Sequence, residues 1–383
     1  MKKQLILHIG CHKTGTTSIQ HALVDNKNSL QDIGYTYYYE GYEHGGMPNF
    51  HSYLAFDQNK GLLPLGMWVR DHKKMIQDLS SVEGNVIVSS ENFSFVFDKK
   101  EVARIKRSLY KVFDSILVVC YIRRQDRHVI SHHQEGAKPH RRAEYDLFGH
   151  EPTVLPKHKK EHDLYLDYYT RLGWWADEFG EDNIFLRVYD RKALKDGDVV
   201  ADFFNIMGLD EFYKSRNRNT SLTGVQARGG HLIQGRQSEF FDHIRLYNTF
   251  ISIGSPRGKG LISKEDALDY YGNYKEGNRL LNKKYCLTDD EYLFDEDFSE
   301  YSDFIDCSWA ESNENEVIFH FLKWVDSLHM HVDVDALRDA ALELENKNKN
   351  LSYKLMLLAR FFRPQGPLIN RKLEKYSEDL FNK

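Results

Sequence analysis

The stretch QLILHIGCHKTGTTSIQHAL, residues 4–23, decides how the rest of the chain is read. Residues 4–9 are apolar enough for a short buried strand. Gly10-Cys11-His12-Lys13-Thr14-Gly15 then turns the chain, and from Thr16 or Thr17 the spacing of Ile19, Leu23 and Leu30 predicts a helix. Strand, glycine loop and helix in that order open an α/β fold. Glycines let backbone N–H groups turn inward, and a helix start adds donors with no intrahelical partner. The natural ligand of such a loop is an anion.

Three more apolar runs extend the pattern. Val86-Ile87-Val88 ends in Ser89-Ser90-Glu91, SILVVCYI spans 115–122, and NIFLRVY spans 183–189. The run at 115–122 is apolar at nearly every position, which suits a central parallel strand covered on both faces. Helices are expected at 99–112 and in DGDVVADFFNIMGL, which Gly208 closes. Past Gly208 strand signal fades, and helices are expected near 225–250, 263–284, 312–325 and 332–362. The expected division is therefore an α/β domain over 1–285 and a helical extension over 286–383, packed on the core or on a partner. Within the extension, ALELENKNKNLSYKLMLLARFF has near-helical apolar spacing, which suits packing and leaves peripheral membrane contact open. Residues 137–160, polar and with three prolines, are expected to form a long functional loop, and 39–68 another excursion.

Composition excludes several classes. The 383 residues carry 52 Lys+Arg against 57 Asp+Glu, a formal charge of -5, so a polycation built to coat nucleic acid is not expected. Cysteines at 11, 120, 286 and 307 have neither zinc-knuckle nor disulfide-scaffold spacing and fit a reducing compartment. No 18-residue apolar stretch occurs, and the apolar start is too short for a secretory signal, so a soluble, cytoplasmic protein is expected. Charge is nevertheless uneven. From Arg123 to Lys160 there are nine Lys/Arg against five Asp/Glu, with six of the 18 histidines. His128, His132 and His133 have no acidic or cysteine partner with metal-site logic, so they are expected at the surface or against substrate, and no metal is expected.

The loop departs from a nucleotide-hydrolysing P-loop. That motif needs Lys-Ser/Thr after its second glycine, whereas here Gly15 is followed by Thr16-Thr17 and the lysine stands earlier, at 13. No convincing acidic partner for magnesium follows a later strand. GCHKTGTTSIQ instead resembles the 5′-phosphosulfate loop of sulfotransferases that use 3′-phosphoadenosine 5′-phosphosulfate. RRQDRHVIS, from Arg123 to Ser131, resembles that family's 3′-phosphate element, an arginine at a strand end and a serine eight residues on. LRVYDRKAL, around Tyr189, resembles its strand-end tyrosine and acidic residue near the adenine. The resemblance spans roughly 4–285.

The resemblance implies a three-layer, P-loop NTPase-like fold with a central parallel sheet. It also implies a donor site of Gly10, His12, Lys13, Thr14, Gly15, Thr16, Thr17, Arg123, Ser131 and Tyr189. Read from the residues themselves, an arginine fork and a nearby serine hydroxyl suit a phosphate; with the donor that the resemblance implies, Lys13 suits charge building on its bridging oxygen. The acceptor hydroxyl needs a base. Glu91, after the second strand, and His51, in NFHSYLAF, compete for that role, with Glu91 preferred. The acceptor is expected to be a carbohydrate or glycolipid hydroxyl. A small-molecule kinase and a non-catalytic nucleotide-binding scaffold are the alternatives.

Overall fold

The computed structural model describes residues 2–39, 49–56, 66–139, 141–150, 153–209, 222–235, 243–252, 262–303 and 333–381. They fall in two compact units, one of 1–247 with 256–313 and one of 248–255 with 314–383.

The first unit is built on a five-stranded sheet. Its strands are β1 (Gln4–His8), β2 (Tyr35–Tyr37), β5 (Asn85–Ser89), β6 (Ser115–Ile122) and β7 (Ile184–Val188), in the order β2-β5-β1-β6-β7. Every pairing is parallel, with Leu5 opposite Val86 on one side and Ile116 on the other. β3 (Leu54–Phe56) and β4 (Met67–Val69) form a separate antiparallel pair. The four strands expected from sequence all lie in the sheet. β2 was not legible, because three residues, with Tyr35 half-buried and Tyr37 buried, carry no usable periodicity.

Successive strand residues point to opposite faces, and both faces are covered. On one, Leu5, Leu7, Val86, Val88, Val118 and Cys120 pack with α4 (Lys99–Leu109) and α8 (Tyr168–Phe179), where Trp175 is wholly buried. On the other, Ile6, Ile87, Val119 and Tyr121 pack with α1 (Thr16–Asp25) and α9 (Val199–Ile206) through Ile19, Leu23, Phe203 and Phe204. Each such side chain contributes about 1.5–3 kcal/mol when fully buried. The result is the expected three-layer α/β fold with a central parallel sheet.

The remaining helices refine the sequence reading. α2 (Lys27–Asp32) and α3 (His72–Ser80) flank β2 and β5, and α5 (Gln125–Gly136) follows β6 directly. Residues 137–160 are not a plain loop, since they contain α6 (Arg142–Phe148), whose Tyr145, Leu147 and Phe148 are buried. α7 is Lys160–Leu166. Within the helix expected over 225–250 the described residues form α10 (Gly224–Gly235) and α11 (His243–Ser252), and the helix expected over 263–284 is two, α12 (Lys264–Gly272) and α13 (Lys275–Tyr285). The helix expected at 312–325 lies outside the described residues.

The boundary expected at 285 falls too early. Leu293, Phe294, Phe298 and Tyr301 join the core of the first unit. Buried Arg124 explains why. Its guanidinium stacks over Phe298 and donates to the Asp295 carboxylate and the Asp297 carbonyl, while Tyr301 donates to Asp126 at 2.6 Å. The second unit has its own small core. Ala341 of α14 (Val334–Leu344), Met356 and Ala359 of α15 (Lys349–Phe362), and Ile369, Leu373 and Tyr376 of α16 (Pro367–Phe381) pack together. Among the described residues no helix is long and apolar enough to cross a membrane.

Candidate functional site

The loop from Gly10 to Gly15 links the end of β1 to α1, and its backbone is unusual. Gly10, Lys13 and Gly15 have φ of 87, 61 and 81°. For Lys13 this left-handed conformation is uncommon and must be held by the surroundings. Two bonds hold it there. Arg123 Nη1 donates to the Lys13 carbonyl at 3.3 Å, and His128 Nε2 donates to the His12 carbonyl at 2.8 Å. α1 begins at Thr16 with no side-chain cap, so its first N–H groups keep the anion-facing character expected of them.

The glycines do different work. A Cβ on Gly15 would lie 2.6 Å from Val199 Cγ1 and 3.3 Å from Tyr189 Cε2, so Tyr189 comes up beside the loop only because residue 15 has no side chain. A Cβ on Gly10 would lie 2.8 Å from the Glu91 Cα. Gly10 thus admits the Glu91 backbone to the loop, a packing role that its sequence position did not disclose.

Not every expected loop residue offers a free group. The His12 ring is buried and stacked on Phe95 at 4.1 Å, and its backbone N–H donates to the Tyr165 hydroxyl. Burial pushes its pKa down to about 3, so it is neutral. The Thr14 hydroxyl donates to the Cys11 carbonyl at 2.6 Å and braces the turn. Neither side chain is turned out as a phosphate ligand. Lys13 is different. Its ammonium pairs with Glu135 of α5 at 2.7 Å. Burial lowers the Lys13 pKa, against the pull of that carboxylate.

At the end of β6 the arginine and serine expected to act together do meet. Arg123 Nη1 donates to Ser131 Oγ at 2.7 Å, two turns into α5. The same guanidinium lies 5.8 Å from the Tyr189 ring centre. Lys13, Arg123, Ser131 and Tyr189, drawn from four segments, therefore surround one side of the loop.

The two rival base candidates are neighbours. Glu91 opens the short 3-10 helix after β5, and His51 Nε2 stands 3.4 Å from its Oε1. His51 Nδ1 is 2.7 Å from Ser90 Oγ, and Gln20 of α1 donates to Glu91 Oε2 at 2.8 Å. Burial opposes ionisation of Glu91, but nearby His51 outweighs it and holds the carboxyl well below the usual range. Glu91 is a carboxylate at neutral pH.

Sequence reasoning missed Gln20 and Glu135. Both stand four residues along a helix from a residue already singled out, Thr16 and Ser131 respectively, and that spacing was the available signal. It misjudged the histidines. His128, His132 and His133 are buried rather than on the surface, with His132 stacked on Phe148 at 4.5 Å and edge-on to Tyr165. Apolar neighbours at helical spacing carried α5 inward. Among the described residues no group of three or more His, Cys, Asp or Glu is arranged to hold a metal.

No family model matches the chain. An uncharacterized protein of Archaeoglobus fulgidus is 28% identical over 229 residues, which make up 56% of this chain. The chain thus spans only 58% of that relative's length. A crystal structure of a sulfotransferase from Alicyclobacillus acidocaldarius aligns with 67% of this chain and 98% of its own, at 12% identity and a TM-score of 0.32. At that score the likeness adds nothing to the fold described above.

Proposed function

We propose that this protein is a sulfotransferase that moves a sulfuryl group from 3′-phosphoadenosine 5′-phosphosulfate to an acceptor hydroxyl, by in-line displacement. One observation carries the reading. The lysine of the glycine loop, the Arg123–Ser131 pair and Tyr189 lie beside the loop, while Glu91 packs its backbone against the loop at Gly10. Two cationic side chains beside the unsatisfied amides of a helix start suit a ligand with more than one anionic group better than a single phosphate.

The residues fit such a donor. The α1 amides from Gly15 to Thr17 would face its 5′-end, with Lys13, and Arg123 with Ser131 would hold its 3′-phosphate. Tyr189 would pack near the base. When bound, the donor supplies the sulfuryl group and a phosphate leaving group.

The protein's own part is then electrostatic and acid–base. The Lys13 ammonium stabilises negative charge where the bond to the leaving oxygen lengthens. Glu91, ionised and fixed by Gln20 and His51, takes the acceptor proton at a carboxylate oxygen. The acceptor class that best suits the reading is a carbohydrate or glycolipid hydroxyl.

Calorimetry tests the donor assignment. Adenosine 3′,5′-bisphosphate should bind without magnesium and far more tightly than ATP or adenosine 5′-phosphate. Preference for ATP with magnesium would replace this reading with a kinase. An acceptor screen with labelled donor separates an enzyme from a nucleotide-binding scaffold.

A further inference from the structure

Glu135 has no role in the chemistry above, yet it holds the ammonium on which that chemistry depends. It lies one turn beyond Ser131 on α5, and its Oε2 is 2.7 Å from Lys13 Nζ. It is also the meeting point of two other cations. Lys138 Nζ lies 2.8 Å from the same oxygen, and Arg141 Nε lies 3.4 Å from Oε1. The Glu135 side chain is 12% exposed, whereas those of Lys138 and Arg141 are 40% and 45% exposed. Burial opposes its ionisation, but Lys13 and Lys138 prevail and bring its pKa down to about 2.

We propose that Glu135 is a competing counter-ion for Lys13, which an anion bound at the loop must displace, and that it thereby sets which anions the loop accepts. Three cations on one carboxylate make the exchange feasible. If Lys13 swings to a ligand, Lys138 and Arg141 remain on Glu135, so no half-buried charge is left unpaired. Were Lys13 its sole partner, release would strand the carboxylate and be strongly disfavoured. The lysine stem is long and rotatable, so the ammonium can reach either partner. A small monoanion offers Lys13 little beyond what Glu135 already supplies. A ligand with adjoining anionic groups, held also by the α1 amides and by Arg123, offers more. The inference rests on the donor reading for its nucleotide probe only.

The test is Glu135→Gln, which keeps the shape and removes the charge. By calorimetry at fixed ionic strength, adenosine 3′,5′-bisphosphate should bind about tenfold tighter than to the wild type, and formate, a small monoanion, should gain by a larger factor, so that selectivity narrows. In a Lys13→Ala background the gain from Glu135→Gln should vanish. A folded Glu135→Gln protein with unchanged or weaker affinity overturns the proposal, as does a gain that persists without Lys13.

A second readout needs no nucleotide and so separates this inference from the donor assignment. Acetylation of Lys13 by an N-hydroxysuccinimide ester, followed by peptide mass spectrometry, should run several-fold faster in Glu135→Gln. It should run slower in Lys138→Met/Arg141→Met, where Glu135 has only Lys13 left. Equal labelling rates across the three proteins would show that Glu135 does not restrain the ammonium, whatever ligand the loop takes.

Discussion

His51 Nε2 lies 3.4 Å from Glu91 Oε1, so the imidazole and the carboxylate that competed for one catalytic role form a single pair. The pair is tied at both ends, His51 to Ser90 Oγ and Glu91 to the Gln20 amide. Its members differ in what they can do. Glu91 is ionised and its backbone stands against the loop at Gly10, whereas His51 is paired with the Glu91 carboxylate and with Ser90 Oγ. Under the proposed function this favours the carboxylate as base and the imidazole as its positioning partner.

Glu91→Gln should therefore lower turnover of labelled donor by about 10²–10⁴-fold while leaving adenosine 3′,5′-bisphosphate affinity intact. His51→Ala should cost less, and it should move the acid limb of the kcat/KM profile to higher pH. The sign follows because His51 holds the Glu91 pKa down, and its removal lets that pKa rise. A large loss in His51→Ala beside a near-normal Glu91→Gln would reverse the two roles.

Arg123→Ala should weaken binding of adenosine 3′,5′-bisphosphate by about 1.5–3 kcal/mol, the range for a hydrogen bond to a charged group. Ser131→Ala should weaken it by about 1 kcal/mol. Because Arg123 also donates to the Lys13 carbonyl, its loss should loosen the loop, which amide hydrogen exchange at 11–17 would register. Unaltered affinity in both folded variants would reduce the cluster to a solvated basic face.

Gly10→Ala should destabilise the first unit by about 1–3 kcal/mol, from strain at φ 87° and a collision with the Glu91 backbone. Gly15→Ala should cost a similar amount against Val199 but displace Tyr189 rather than Glu91. Urea unfolding measures the cost. A donor-affinity loss confined to Gly15→Ala, with a turnover loss at constant affinity in Gly10→Ala, would distinguish the two glycines.

Stability should fall on mild acidification. Burial pushes the pKa of His8 down to about 4, and those of His12 and His231 to about 3, from an ordinary 6.5. The unfolded chain takes up protons at these rings as pH drops below 6.5, while the folded chain does not. Their contribution is complete above about pH 6.5 and is lost progressively toward pH 4. The depressed carboxylates of Glu91 and Glu135 act later, below their ordinary 4.5. Melting temperature should thus decline between pH 7 and 5. His132→Phe should make that decline shallower, since burial among Phe148, Tyr165 and other rings also depresses the His132 pKa. A melting temperature independent of pH over this range would contradict the assignment of neutral buried rings.

The parts of the site that could be read from the chain are those made by neighbours in sequence. The strand–loop–helix at 4–25 is a local structure, written in one apolar run and two glycines. Arg123 and Ser131 stand eight residues apart across a strand end and the next helix, so element geometry alone brings them together. The apolar run at 115–122 likewise announces a strand covered on both faces, because burial on both sides removes the alternation that a one-sided sheet would show.

What the tertiary structure decided was every pairing between distant segments. Lys13 meets Glu135 across 122 residues, Glu91 meets both Gln20 and His51, and Arg124 and Asp126 tie Phe298 and Tyr301 to a core that sequence had ended at 285. The same holds for the buried histidines, whose polar appearance suggested a surface. A charged or polar side chain has no periodicity of its own. Whether it faces water, a ligand or an opposite charge is fixed by which layers stack against it, and that depends on the whole sheet order rather than on the residues beside it.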